Sequence, residues 1–392
     1  MATLLLIVIY VAFLGRGMPD SITGVAWTMM FVEFNVPEET VSIITITISL
    51  STALISLFCA RLIRRFGVYK ITLLAMITLS LSLLGYFLAP SFIFTCLLAV
   101  PLGMGAGLLD NALNDYMTAH YSAVYLNVMH GVYGIGAALS PLLVSFALQQ
   151  NGNWRSGYFF CFIAMIVITV IAAVSHPLWQ KKRQQQEIEH KSSHFPLSEQ
   201  LKNKRIWLIL LCVFFANAIE ALFVAYGSMY LVGMSELNEV VASRIVMIFC
   251  LSLGLGRMFA GFLSIKVPCL KIMLIFAIIL CLPTLFMITK LSELLLYIIF
   301  ALVGFLSGPI YPLTIYVTPE LFGSEAAHAV LGTQIAVAYS GFVISQALMS
   351  VVVSAFSTAV FPIFLIVFCT ALLISVLTLN REYKKIAKTK AC

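Results

Sequence analysis

The chain has 392 residues, of which 61% are hydrophobic and only 10% charged, whereas a soluble domain carries about 25% charged residues. That deficit, with a mean hydropathy of +1.05, excludes an ordinary water-exposed protein and implies the lipid bilayer as partner. The net charge of +7 is absorbed by basic loops beside a membrane, so it argues for no nucleic-acid partner.

A helix crosses hydrocarbon with roughly 20 mostly apolar residues. Twelve such runs are predicted, at 3–31, 40–63, 69–88, 92–118, 124–148, 155–179, 205–232, 238–265, 268–289, 292–318, 325–354 and 357–380. The first lacks a basic leader and outlasts a signal peptide's apolar stretch, so it reads as a span. Within it, Arg16 and Asp20 are four residues apart and share a helix face, with Trp27 on nearly the same stripe. One reading is a polar, aromatic-edged wall of a central cavity, with Asp20 binding solute hydroxyls or a proton. The plainer reading is a local ion pair that neutralises two buried charges.

Span four carries Gly103, Gly107, Asp110 and Asn114 along one stripe, with Asn111 and Asp115 on the next. Glycines admit a close helix neighbour, and that density of amides and carboxylates must face protein or water. Asp110 and Asn114 are therefore expected at a cavity, and Asp115, nearer the cytoplasmic end, either there or at a structural gate or cap. Span five opens with Asn127 and His130, three residues apart; the histidine fits a proton relay or a hydrogen-bonding packer.

A polar, basic stretch at 180–204 separates 1–179 from 205–380, each with six spans, and a basic tail follows at 381–392. Span seven holds Asn217 and Glu220. An unpaired glutamate in hydrocarbon is neutral, so Glu220 is expected to carry a proton, accept a hydroxyl, or bond a neighbouring helix. Arg257 falls toward the far end of span eight, which suggests an inner gate or a structural ion pair. Tyr311, Gln334 and Tyr339 in spans ten and eleven supply rings and an amide suited to a sugar, although tyrosines also anchor spans at interfaces.

With twelve spans, 18 of the 23 Lys and Arg fall in loops and a tail on one side. The positive-inside rule then predicts that both termini are cytoplasmic, as expected for a multi-pass protein of the cell's inner membrane. The nine cysteines show no CxxC spacing, so neither a disulfide framework nor a metal site is expected. No phosphate loop, zinc spacing or nucleophile elbow appears. No cofactor is expected, and the chain does not read as an enzyme.

The halves match at an offset near 200 residues. Asp20 matches Glu220, Arg65 and Lys70 match Lys266 and Lys271, Gly103 and Gly107 match Gly304 and Gly308, and Tyr133 falls near Tyr339. In span four, Gly107 to Asn114 gives a Gly, acid, Ala, Asn segment. Span five follows with Leu126 to Ala137, and span ten with Gly308-Pro309-Ile310-Tyr311-Pro312 and then Thr318 to Gly323. These segments resemble the fucose-permease-like branch of the major facilitator superfamily. The resemblance implies an all-α membrane protein with twelve transmembrane helices in two pseudo-symmetric six-helix bundles, the major facilitator fold. It also implies a proton-coupled sugar importer, whose span-one and span-four acids map onto Asp20 and Asp110. This chain departs from the branch in having Asp at 110, Arg16 one turn before Asp20, and no Asp in the loop at 61–67. The expected solute is a sugar or similar small polar molecule moved with protons. The alternative is proton-driven efflux of amphipathic organic compounds, for which the 29 Phe and 16 Met would furnish an adaptable pocket.

Overall fold

A computed structural model describes residues 2–121, 123–180, 202–235, 237–289, 291–322 and 324–391. Among these residues there is no strand, and twelve helical segments are long and apolar enough to cross a membrane. In the first half they are α1 (Ala2–Phe34), α2 (Val41–Phe66), α3 (Val68–Phe87), α4 (Phe92–His120), α5 (Ala123–Asn151) and α6 (Trp154–Val174). In the second they are α7 (Lys204–Ser235), α8 (Glu239–Leu263), α9 (Cys269–Phe286), α10, α11 (Ser324–Phe356) and α12 (Phe361–Ala391). Segment α10 is two helices, Glu293–Ser307 and Ile310–Phe322, broken at Gly308-Pro309. Most of the expected linker, residues 181–201, lies outside the described residues. The basic tail, expected to follow a span ending at 380, instead continues α12 as helix to Ala391.

Local chemistry sets several boundaries. Ser91 caps α4 by accepting from the Phe94 amide at 3.4 Å, and Asn238 caps α8 by accepting from the Val241 amide at 2.9 Å. The glycines at 67 and 152 take positive φ, +83° and +64°, where an L side chain is strained, and so turn the chain between spans.

In the first half, α1 packs on α5 and α6, and α4 packs on α2 and α3. In the second, α7 packs on α11 and α12, while α8 packs on α10 and α9 on α12. Aromatic rings fill each interior. Tyr86 stacks on Tyr158 at 4.9 Å in the first half, and Phe223 stacks on Phe249 at 4.6 Å in the second. The outer surface is apolar, as lipid requires: Ile93, Val174 and Val351 are among its most exposed side chains.

The halves meet through α5 on α8, α1 on α7 and α2 on α11. Glycines let the backbones touch. A Cβ on Gly134 would sit 2.4 Å from the Gly254 Cα, and one on Gly24 would sit 1.9 Å from the Val224 carbonyl oxygen. Gly24→Val is therefore expected to push α1 off α7 and to cost about 1–3 kcal/mol of stability. Thermal unfolding in detergent measures it, and an unchanged melting temperature would contradict the contact.

Near the α1–α2 turn the halves are also tied by hydroxyls. Ser42 donates to Ser350 at 3.0 Å, and Ser350 donates to the Glu39 carbonyl at 3.2 Å. On α7, Tyr226 donates to the Gln346 carbonyl of α11 at 3.3 Å.

Candidate functional site

The polar residues of the spans converge where the halves face each other. Arg16 of α1 holds two acids: its Nη1 is 2.7 Å from Asp20 Oδ1 and its Nη2 is 2.9 Å from Asp110 Oδ2 on α4. Two further donors complete the carboxylates. Tyr133 of α5 donates its phenol to Asp20 Oδ2, and Tyr339 of α11 donates to Asp110 Oδ2 at 3.1 Å. The second bond crosses from one half to the other. Charge-assisted bonds of this kind are the strong ones.

The guanidinium is buried, with 6% of its side chain exposed, while Asp20 and Asp110 keep 22% and 18%. The two acids are thus partly exposed at mid-span although the guanidinium between them is buried. Both described donors to the Asp110 carboxylate reach Oδ2. Arg16 Nε is a buried donor with no acceptor among the described residues.

A second ion pair stands in the other half. Nη2 of Arg257, on α8, is 2.7 Å from Glu220 Oε2 on α7. Its Nε donates to the Gly308 carbonyl at 3.1 Å. The break in α10 explains that bond. In an unbroken helix the Gly308 carbonyl would receive the amide of residue 312, but Pro312 has no N–H. Arg257 supplies the missing donor. Between the two pairs lies the Tyr133 ring, its centroid 5.8 Å from the Arg16 guanidinium carbon and 5.5 Å from that of Arg257.

Asn114 and His130 join the same region. His130 Nε2 is 3.1 Å from Asn114 Oδ1, Asn114 Nδ2 donates to the Asp110 carbonyl at 2.9 Å, and Phe13 packs edge-on against the imidazole at 5.3 Å. Tyr311 is half-buried on the second helix of α10.

Other expectations need correction. Trp27 does not edge the cavity. It is fully buried, donates to the Glu38 carbonyl at 2.7 Å and packs on Phe92, because that end of α1 is covered by the α1–α2 turn and α4. Glu220 is not unpaired, since Arg257 reaches it in the middle of α7 rather than standing apart at the end of its own span. Asn217 is buried and bonds back to the Val213 carbonyl of its own helix at 2.8 Å. Asn111 ties α4 to α2 through Ser56 at 2.7 Å. Gln334 is fully buried and donates to Thr318 at 2.9 Å. The side chain of Asn127 lies outside those described. The ion pair expected as one reading of Arg257 is present, with Glu220 as its partner; Tyr133 carries a sequence signal only through its match with Tyr339 in the repeat.

The Arg257–Glu220 pair makes a thermodynamic prediction. Arg257→Met leaves Glu220 buried without its partner and is expected to cost about 3–5 kcal/mol, whereas removing both charges is close to neutral. Thermal unfolding should therefore show a lowered melting temperature for Arg257→Met and recovery in Arg257→Met/Glu220→Leu. A double variant no better than the single would contradict the pairing.

A family model described as Major Facilitator Superfamily matches residues 5–345. The chain belongs to that superfamily. Among curated relatives, it is 27% identical over 280 residues to Bypass of stop codon protein 6 of Saccharomyces cerevisiae, covering 65% of this chain and 56% of the yeast protein. It is 23% identical over 278 residues to the glucose/mannose transporter GlcP of Bacillus subtilis, covering 68% of this chain and 67% of the bacterial one. The matched region thus spans little more than half the length of the yeast relative. The twelve spans with no strand among the described residues agree with the superfamily's fold, and its members are transporters rather than enzymes.

Proposed function

We propose that this superfamily member is a secondary transporter that carries a sugar or similar small polar solute with protons, by rocking its halves, residues 1–179 and 205–380, about a central crevice. The observation that carries this reading is the bridge at Arg16, where one guanidinium holds Asp20 and Asp110 and Asp110 takes a hydroxyl from the opposite half. Three carboxylates share two guanidiniums there, so one negative charge lacks its own partner. A proton supplies the balance, and its gain or loss changes what Asp20 and Asp110 can hold. The partly exposed carboxylates of Asp20 and Asp110 can accept from solute hydroxyls. A solute anion would find both guanidiniums already engaged. On this reading the termini face the cytoplasm of the cell in whose inner membrane the protein sits.

The name of the bacterial relative, glucose/mannose transporter, makes those sugars the first probes. The test is uptake of labelled glucose and mannose into proteoliposomes under an imposed pH gradient. Accumulation driven by protons moving inward with the sugar supports the reading. Expulsion of an amphipathic cation against the proton gradient, with neither sugar moved, would replace it with efflux.

A further inference from the structure

We infer that Tyr133 is the positioning residue that links the Asp20–Arg16–Asp110 cluster of one half to the Arg257–Glu220 pair of the other; this rests on the proposed carrier function for its meaning, though not for its geometry. Its hydroxyl is committed to Asp20 Oδ2. Its ring lies within 6 Å of both guanidinium carbons, at 5.8 and 5.5 Å, the range in which a cation is attracted to an aromatic face. The residue thus touches both charge clusters at once.

The backbone fixes it there. Tyr133 adjoins Gly134, whose neighbour across the halves is Gly254, and Arg257 follows Gly254 by about one helical turn. Gly131, one position beyond Tyr133's other neighbour, faces Met258 just as closely. The α5–α8 contact therefore clamps the tyrosine and the arginine into one register. Phe13 packs on the Tyr133 ring at 6.1 Å and limits its tilt.

The chain of contacts then continues. Arg257 donates to Glu220 and to the Gly308 carbonyl at the break of α10. A change at Asp20, whether a proton or a bound hydroxyl, alters the bond that anchors the Tyr133 hydroxyl. The ring's position between the guanidiniums changes with it, and so does the hold of Arg257 on the broken segment. A direct charge interaction between Asp20 and Glu220 would couple the clusters without the tyrosine. The question is therefore whether the link runs through the tyrosine or around it.

A double-mutant cycle answers it without any solute. Melting temperatures are measured on the full chain in detergent for Asp20→Asn, Glu220→Gln and both together. The cycle is run in the native background, in Tyr133→Leu and in Tyr133→Phe. The inference expects a non-additive shift of about 2–4 °C in the native background. That shift should vanish in Tyr133→Leu, and also in Tyr133→Phe, which keeps the ring but lets go of Asp20. An equal shift in all backgrounds overturns the inference in favour of direct charge coupling. Additivity in the native chain overturns it as well. If Tyr133→Leu does not fold, the Tyr133→Phe cycle decides alone. Failure here with sugar transport intact removes only the link, whereas a cycle that behaves as expected in a protein that moves no sugar removes only the solute reading.

Discussion

Asp110→Asn is expected to abolish solute-driven proton uptake in proteoliposomes while leaving the helical fold intact. The side chain sits at the hub of the site, holding Arg16 at 2.9 Å and taking the Tyr339 hydroxyl from the other half at 3.1 Å. The amide is the same size and can still accept both bonds through its oxygen, so packing survives. What it loses is the charge and the ability to bind or release a proton. Carboxylates held at membrane depth are retained for functions of that kind. Asp20→Asn should behave in the same way, since Asp20 is the other acid on Arg16. A loss of at least about 100-fold in concentrative uptake is expected, because without a titrating carboxylate the solute no longer draws on the proton gradient. The fold is checked in parallel by thermal unfolding and by monodispersity. Native rates of proton-coupled uptake in both variants would remove these acids from the mechanism.

A second large effect is expected at the hydroxyl contact between α2 and α11. Ser42 and Ser350 oxygens are 3.0 Å apart across the two halves, so sulfurs placed at the same positions would face each other closely enough to be joined by oxidation. In Ser42→Cys/Ser350→Cys, oxidation should join the halves at this end and stop turnover, with uptake falling below about a tenth of the reduced protein's rate. A thiol reductant should restore it. Each single variant should be unaffected by oxidant, because the eight described native cysteines are unpaired and buried or half-buried. A cross-linked double variant that transports at the native rate would mean that this end of the molecule never opens.

The architecture was readable because lipid imposes a strong rule: each span must be long and apolar. The i,i+4 spacing of Arg16 and Asp20 likewise foretold their pairing. The third member, Asp110, lies 94 residues from Arg16, and no periodicity reports a contact at that distance. Span four's polar stripe showed only that Asp110 had to face something other than lipid. Trp27 was misplaced for a related reason. A stripe on an ideal helix says which side a residue lies on, but not which neighbour covers that end of the helix, and the α1–α2 turn covers it. The ion pair offered as one reading of Arg257 holds, but its partner Glu220 lies 37 residues away on another helix, and a long side chain carries its charge well away from its Cα. The partner it reaches is set partly by Pro312, whose missing amide frees the Gly308 carbonyl. Tyr133 had a signal in the sequence, the internal repeat, and its role was lost because only its mate Tyr339 was weighed.

The central claim is that the acids border an aqueous space whose access changes sides. Asn114, partly exposed and bonded to His130 beside Asp110, reports on that space. Asn114→Cys is labelled in membrane vesicles of both orientations with a thiol reagent that does not cross lipid, with the parent chain labelled in parallel. The Ser42–Ser350 contact ties the halves together near the α1–α2 turn, so labelling is expected from the opposite side. It should switch sides, or fall at least tenfold, when a transported sugar and a pH gradient are applied together. Labelling from one side at one rate under every condition, or none from either side, would contradict the account.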